Sequence, residues 1–434
     1  MCYEFLVRGL RLTLRFLHIL WVFFAAWWVY LARRIASRTN KETLRGEILA
    51  DTFQTLGATY VKFGQILSTR PDLFGPEITQ QLARLQDAVP PIPYEQVEMV
   101  LERELDSTSR ARIVNVEMVP IAAASVAQVH VGELDDGRRV AIKVQRPLAP
   151  IQVDRDLAVM MTWAKVLDRI PSIRLLSLPG AVERFGDAMR GQLDFRLEAA
   201  NNLRFAENFA NVPGVDVPML FEELCTERVL TMELVEGVRA TEPEKVGGDR
   251  KALARRGLDA ILKMVFDDGF VHADLHPGNI ILTADDRVVL IDLGLVAEID
   301  DELKAPWIQT FIALSQQDGK AAAKLFYTYA PTVGNVDYPR FEADVLAHFQ
   351  TFHGKPLHEI EASQVLTGMM NILRRHRVQI DPVFTVVNLA MLVAEGLGKQ
   401  LDPELDLIQH AAPYLMKAIA TAPAARPPKR DVPS

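Results

Sequence analysis

The chain has 434 residues, of which 49% are hydrophobic and 24% charged. At roughly 150 residues per domain this length predicts two or three domains, and the composition excludes a globally disordered chain. The formal net charge of −8 argues against nucleic acid as a partner, because nucleic-acid-binding proteins neutralise phosphates with Lys and Arg. The two cysteines, Cys2 and Cys225, have no metal-ligand spacing and form no disulfide framework, which indicates a reducing compartment.

Residues 1–40 carry an apolar run between basic residues, "FLHILWVFFAAWWVYLA" (16–32), followed at once by Arg33 and Arg34. Seventeen residues at ~1.5 Å rise extend roughly 26 Å, the short end of a membrane span. We predict a hydrophobic, membrane-associated segment, which either spans or lies in the interface, and a buried helix of a soluble domain is the alternative. The heavier basic flank on its C-terminal side predicts a body on the cytoplasmic face, as at a bacterial inner membrane.

Residues 41–112 are predicted to form a helical extension. Apolar residues such as Leu44, Ile48 and Phe53 recur at helical spacing, which favours one or two amphipathic helices. The segment "RPDLFGPE" (70–77) interrupts them, and a further helix over 78–85 ends at "AVPPIP", because proline cannot continue a helix.

The pattern changes to β-strand near residue 113. A hairpin is predicted around the turn "DDG", with Lys143 of "VAIK" at the end of its second strand. Helical patterns run from 151 to about 210, and "CTERVLTMELVEG" predicts another strand. We predict one β-rich domain over residues 113–237.

Residues 238–420 are predicted to be mainly helical, with one small hairpin in "NIILTADDRVVLIDLGLV". The tail, residues 421–434, is rich in proline and charge and is predicted to be disordered.

Four elements occur in the order of a kinase catalytic site. "VAIK" ends at Lys143, "HADLHPGN" supplies Asp274 and Asn279 five positions apart, and "DLG" begins at Asp292. Each alone has an ordinary interpretation as a solvated strand end, a turn or a buried histidine. Together they predict a site that handles phosphate. A zinc site built on His272 and His276 is disfavoured, because no cysteine cluster is available.

Phosphoryl transfer gives each of these residues a task. Lys143 would pair with the α and β phosphates of ATP or ADP, Asn279 and Asp292 would hold Mg²⁺, and Asp274 would accept a hydroxyl proton or orient a water. Glu198, on the helical stretch "RGQLDFRLEAANNLRF", is predicted to hold the lysine in place, with a plain surface glutamate as the alternative.

The loop before Lys143 differs from that of protein kinases. The segment "PIAAASVAQVH" contains no glycine where a Gly-rich loop would cover the phosphates. Alanine avoids positive φ, so this turn is predicted to be stiffer. No A-P-E element follows "DLG" either, so the sequence disfavours ordinary protein phosphorylation.

These motifs resemble the UbiB-type atypical kinase-like family, also called the ABC1 or AarF family. The resemblance rests on "KFGQ" followed by "STRPDLFGPE", "AAAS", "VAIKVQRP", "LDFRLEAANN", "HADLHPGN" and "DLG", and covers residues 45–400. It implies an α+β fold of the two-lobe protein-kinase-like class with an N-terminal helical KxGQ extension. It also implies binding of ATP or ADP with Mg²⁺, ATPase-type activity, and support of ubiquinone biosynthesis or lipid handling at membranes.

The resemblance extends to particular residues. It implies that Lys62 and Gln65 reach the nucleotide, and that an Ala-rich loop replaces the Gly-rich one at the nucleotide; the loop is Ala122, Ala123, Ala124 and Ser125. One departure is Gln192, where the family has the glutamate of Glu-x-Asp, and this puts the number of metal ions in doubt.

The expected activity is that of an atypical kinase or ATPase that acts on a membrane lipid or isoprenoid-quinone precursor, with quinone-biosynthesis proteins as possible partners. Two alternatives remain open: a small-molecule or lipid kinase, and a non-catalytic scaffold that binds nucleotide.

Overall fold

The computed structural model describes residues 2–36, 40–68, 74–85, 89–170, 178–352, 361–421 and 427–433. These residues divide into two compact units. The first comprises residues 2–68, 76–200 and 219–234, and the second comprises residues 74–75, 201–218 and 235–433. The motif residues 69–73, which include the "RPD" of the KxGQ extension, lie outside the described ranges.

The first unit begins with helices. The described helices that begin in it are α1 (Cys2–Ala36), α2 (Lys41–Leu56), α3 (Ala58–Ser68), α4 (Pro76–Leu82), α5 (Tyr94–Glu104), α6 (Ser107–Ala111), α7 (Ala149–Leu167), α8 (Leu178–Gln192) and α9 (Phe195–Phe209). Gly57, at φ 97°, separates α2 from α3, so the predicted amphipathic stretch is two helices. The predicted helix over 78–85 is α4, which begins earlier and ends at Leu82.

The first unit also holds a five-stranded antiparallel sheet. Its order is β1-β3-β4-β6, and β2 pairs with β3. The strands are β1 (Ile113–Val116), β2 (Ala122–Ala123), β3 (Ala127–Leu134), β4 (Arg139–Gln145) and β6 (Val229–Glu233). The predicted hairpin is confirmed, but β4 continues for two residues past Lys143, so that lysine lies inside the strand rather than at its end.

The second unit is mainly helical and holds two small sheets. The four-stranded sheet has the order β5-β10-β9-β7, and β8 pairs with β11. The strands of the two sheets are β5 (Val215–Asp216), β7 (Val238–Arg239), β8 (Phe270–His272), β9 (Ile280–Leu282), β10 (Val288–Leu290) and β11 (Val296–Glu298). The antiparallel pair of β9 and β10 confirms the second predicted hairpin.

Seven further helices are described in the second unit. They are α10 (Arg250–Leu262), α11 (Asp301–Ser315), α12 (Gly319–Tyr329), α13 (Tyr338–Gln350), α14 (Ala362–Arg375), α15 (Pro382–Leu401) and α16 (Leu407–Thr421). The main core of this unit packs α10 and α15 around β8, with Leu258, Val271 and Val387 fully buried. In the tail, the backbone N–H of Lys429 donates to the oxygen of Thr328, and the predicted disorder of residues 421–434 stays a prediction.

Two described helices are long and apolar enough to cross a membrane, Gly9–Ile35 within α1 and Pro382–Leu401. Only 11% of the apolar window of α1 is buried, against 44% for the second helix. The second helix therefore serves the core of its unit, whereas α1 turns most of its apolar surface outward.

Candidate functional site

Lys143 and Glu198 form a buried ion pair in the first unit. Lys143 lies on β4, which is hydrogen-bonded to β3 on one side and β6 on the other, so its backbone is fixed from both sides. Its Nζ lies 2.8 Å from both Glu198 carboxylate oxygens and 5.4 Å from the centre of the Phe195 ring. Glu198 is 5% exposed and lies in the first turn of α9, where the helix dipole favours a carboxylate. The lysine side chain is thereby held in one orientation.

The Ala-rich loop consists of β2 (Ala122–Ala123) and the tight turn that leads from it into β3. The N–H of Ala124 donates to the oxygen of Ala127 at 2.8 Å, and Ser125 is buried. The non-glycine residues of positive φ in the described chain are Asp286, Asp292, Gln317 and Arg377. The turn therefore forms without the left-handed conformations that a Gly-rich loop requires.

Arg146 fixes this loop, and sequence reasoning assigned it no role. Its Nε donates to the oxygen of Ala124 at 2.8 Å, and its Nη2 donates to the oxygen of Pro90 at 2.8 Å. Its own N–H donates to the oxygen of Val126. The available signal was the segment "VAIKVQRP", in which this arginine stands three positions after Lys143.

The KxGQ residues lie on α3. Lys62 is buried, and Nε2 of Gln65 donates to the oxygen of Leu85 at 3.1 Å. Oε1 of Gln65 is buried with no hydrogen-bond partner among the described residues. The glycine between them has a packing reason, because a Cβ on Gly64 would lie 2.3 Å from Cδ1 of Leu85 and 2.7 Å from Cδ2 of Phe53.

In the second unit, His272, the first histidine of "HADLHPGN", has a structural role. His272 is 1% exposed. Its Nδ1 accepts the N–H of Asp274 at 3.1 Å, so the ring proton is on Nε2, which lies 3.3 Å from the oxygen of Ile291. Burial lowers the pKa of His272. The neutral ring therefore joins the loop of Asp274 to the segment that precedes Asp292.

Asn279 is oriented by the same loop. Its Nδ2 donates to the oxygen of Asp274 at 3.1 Å, and its backbone oxygen accepts the N–H of Ile291 at 2.9 Å. Because the amide nitrogen is engaged, Oδ1 is the atom of this side chain that can bind a cation. Carboxylate and amide oxygens are the ligands that Mg²⁺ prefers, together with water and phosphate oxygens, so Asn279 and Asp292 fit this ion.

Asp292 has a strained backbone. Its φ is 58°, in the left-handed region that few non-glycine residues adopt. The oxygen of the next residue, Leu293, accepts a hydrogen bond from Nδ2 of Asn201 at 2.9 Å, and this partner was not predicted. Strain of this kind collects at functional sites.

Gln192, the departure from the family pattern, ends α8. The carboxylate two residues later, Asp194, accepts hydrogen bonds from Nε and Nη2 of Arg196 at 2.8 and 2.7 Å. These bonds hold the pKa of Asp194 below its usual value. Asp194 thus stabilises the start of α9, which carries Glu198.

The sequence disfavoured a zinc site on His272 and His276. Among the described residues, no group of three or more His, Cys, Asp or Glu side chains could hold a metal ion. His276 is exposed, and its Nδ1 accepts the N–H of Gly278, which makes it a turn residue.

The fold and these residues define a chain of the protein-kinase-like class. Residues 84–326 match the model of the ABC1 atypical kinase-like domain, and residues 346–406 match that of the UbiB helical domain. The chain therefore belongs to the UbiB family of ABC1 atypical kinase-like proteins, as its motifs predicted.

Curated relatives agree. A Shewanella woodyi protein named "Probable protein kinase UbiB" is 34% identical, over 87% of this chain and 70% of that relative. Proteins of the same name from Aeromonas salmonicida and Vibrio cholerae are also 34% identical, over 89% and 86% of this chain and 73% and 71% of the relatives. These values extend the family similarity over most of the chain.

A solved structure supports the fold. The chain is similar to a Mycobacterium tuberculosis protein solved in complex with erythromycin, with a TM-score of 0.54 and 24% identity, over 80% of this chain and 89% of that one. The predicted α+β, protein-kinase-like fold with an apolar N-terminal helix is confirmed.

Proposed function

We propose that the chain is an atypical kinase or ATPase that binds ATP or ADP with Mg²⁺ at a membrane and supports isoprenoid-quinone biosynthesis or lipid handling. The observation that carries the proposal is the ion pair between Lys143 and Glu198. Such a pair holds the lysine in the orientation that phosphates need. Ordinary protein phosphorylation is not proposed, because the sequence has no recognisable A-P-E element.

The residues have distinct tasks in this proposal. Lys143 contacts the nucleotide phosphates, and the Ala-rich loop, fixed by Arg146, offers backbone N–H groups to them. Asn279 and Asp292 hold Mg²⁺, which when bound neutralises the charge that develops on the transferring group. A carboxylate oxygen of Asp274 accepts the proton of the attacking hydroxyl or water.

The KxGQ glutamine belongs to the same proposal. The buried Oε1 of Gln65 has no partner among the described residues, and a buried acceptor of this kind is costly without a donor. A ligand with an N–H or O–H group satisfies it. Lys62, on the same helix, supplies a positive charge.

Calorimetric titration of the purified chain with ADP, with and without Mg²⁺, tests nucleotide binding. Binding that needs Mg²⁺ in the wild type and falls at least tenfold in Lys143→Met and Asp292→Asn is expected. The exposed Lys165→Met and Asp285→Asn variants serve as matched controls. No Mg²⁺-dependent binding in the wild type would overturn the nucleotide part.

Quinone and lipid profiling tests the physiological part. A strain that lacks the gene is rescued with wild type, Lys143→Ala or Asp292→Asn, and rescue by the wild type alone is expected. An unchanged quinone pool without the gene would overturn the quinone assignment. Full rescue by Asp292→Asn would favour the scaffold, and transfer of labelled γ-phosphate to a small alcohol would favour the small-molecule kinase.

A further inference from the structure

Helix α1 is attached along its side to the first unit. Near its start, Nε of Arg15 lies 2.6 Å from Oδ1 of Asp156, and Nη2 donates to the oxygen of Leu56 at 2.6 Å. Near its end, Nη2 of Arg33 lies 2.7 Å from Oε2 of Glu47. Since Leu56 is the last residue of α2 and Glu47 lies in its first half, α1 and α2 run antiparallel and side by side.

Apolar packing completes this attachment. The ring of Phe16 stacks on that of Trp163 at 5.2 Å with an angle of 7° between the planes. Ile19 and Val22 are 2% and 9% exposed and belong to the core cluster that contains Phe53 of α2. One face of α1 is therefore part of the folded unit.

The opposite face of α1 is an uninterrupted apolar stripe. The members used here recur at spacings of three, four and seven residues, and each is between 51% and 88% exposed; they are Leu14, Leu17, Trp21, Phe24, Trp28 and Ile35. Exposed arginines, Arg11 and Arg34, lie near its two ends. Soluble proteins rarely expose so long an apolar strip without a partner.

Because α1 packs against α2 and α7, it cannot cross a membrane while it stays docked to them. A spanning helix has its whole circumference in hydrocarbon, so α2 and α7 would enter with it. These helices carry exposed charges such as Arg45 and Asp154, whose side chains are 54% and 62% exposed. A charge at the centre of a bilayer costs about 2.5–3.5 kcal/mol or more.

We propose that α1, docked in this way, lies in the plane of a membrane. Its apolar stripe, which includes Trp21, is buried at the boundary between headgroups and acyl chains. Tryptophan favours this boundary, and the arginines at the two ends complement anionic headgroups. The occupant of the stripe is thus an anionic lipid surface. The inference rests on the proposed membrane association and adds its geometry: the chain binds one leaflet and does not cross.

Vesicle flotation with the full chain tests the surface. The vesicles contain phosphatidylcholine alone or phosphatidylcholine with phosphatidylglycerol. Trp21→Lys is expected to lower partition at least tenfold, and the wild type is expected to prefer the anionic vesicles. Val119→Lys, at a site 76% exposed on a loop between strands, is the matched control and retains binding. Flotation of Trp21→Lys equal to that of the wild type would overturn the proposal.

Labelling with a membrane-impermeant maleimide tests the geometry. In a background without the native cysteines, Gly9→Cys and Lys41→Cys lie on either side of the apolar run. Complete labelling of both on intact vesicles is expected, because an in-plane helix keeps both ends outside. Labelling of the two sites in complementary fractions means a span, and overturns the proposal.

Two further measurements separate the alternatives. Sedimentation of the lipid-free chain that shows a dimer abolished by Trp21→Lys, with no vesicle binding by the wild type, would assign the stripe to a second copy and overturn the proposal. Mg²⁺–ADP binding by Trp21→Lys equal to that of the wild type is expected, since the residue is not in the nucleotide machinery. A failure at the membrane is then distinguishable from a failure of the proposed catalytic function.

Discussion

The ion pair between Lys143 and Glu198 allows a quantitative test. Glu198→Gln keeps the shape of the side chain but removes the charge that lies 2.8 Å from the ammonium. The two side chains are 14% and 6% exposed, so water replaces little of the lost interaction. Removing one partner of a buried pair costs about 3–5 kcal/mol. Because the amide can still accept a hydrogen bond, we expect the free energy of unfolding to fall by about 2–3 kcal/mol.

A double-mutant cycle isolates the pairwise contribution. Lys143→Met removes the other charge, and the double variant leaves no unpaired charge in the buried site. The double variant is therefore expected to lose about 2 kcal/mol less free energy of unfolding than the sum of the losses of the two single variants. Urea denaturation without nucleotide, followed by circular dichroism, measures all four proteins.

An exposed pair near the start of the same helix is the control. Arg196 and Glu227 lie 3.2 Å apart, with side chains 63% and 52% exposed, and Arg196→Met with Glu227→Gln is expected to show no measurable coupling. A coupling between Lys143 and Glu198 as small as this control would refute the argument that burial strengthens the pair.

Three further predictions follow from packing and burial. Gly64→Ala forces its Cβ against Leu85 and Phe53, so the free energy of unfolding measured in urea is expected to fall by about 1–3 kcal/mol. The control is Gly257→Ala in a helix, whose Cβ meets nothing within 4 Å and which is expected to raise that free energy by up to about 1 kcal/mol. Equal effects of the two substitutions would contradict this account. Burial raises the pKa of Cys225 to about 11, so iodoacetamide at pH 8 is expected to alkylate it at least tenfold more slowly than free N-acetylcysteine, and an equal rate would show that the thiol is exposed. The lowered pKa of His272 means that the unfolded chain binds the proton more readily, so stability is expected to fall as the pH drops below about 6.5; His272→Asn should flatten this slope between pH 7.5 and 5.5, and an unchanged slope would assign it to other groups.

The sequence predicted most of the secondary structure that carries the candidate residues. Lys143 and Asp292 could be found because they follow short apolar runs, and the order of the motifs relates them to a kinase. The predicted end of β4 was wrong, because pairing with the neighbouring strand β3 continues to Gln145, beyond the apolar run. Strand length is set by pairing across the sheet, which a single segment does not contain.

Other features depended on contacts far apart in the chain. The bonds from Arg146 to the Ala-rich loop and to Pro90 join residues 22 and 56 positions apart, and no local pattern predicts them. The apolar run of α1 left its placement open, because hydrophobicity does not say which face packs. That information comes from Arg15 and Arg33, whose partners lie on other helices.

The conformation of the Ala-rich loop has a thermodynamic consequence. A glycine in the same turn would leave the unfolded chain about 0.4–1 kcal/mol more conformational entropy per residue to lose. With alanine the unfolded chain does not have this extra entropy. The hydrogen bonds from Arg146 keep the loop ordered in the absence of a ligand. If the proposed nucleotide binds the backbone of this loop, it meets a surface that is already ordered, and its binding avoids most of the entropy penalty that a flexible phosphate loop adds.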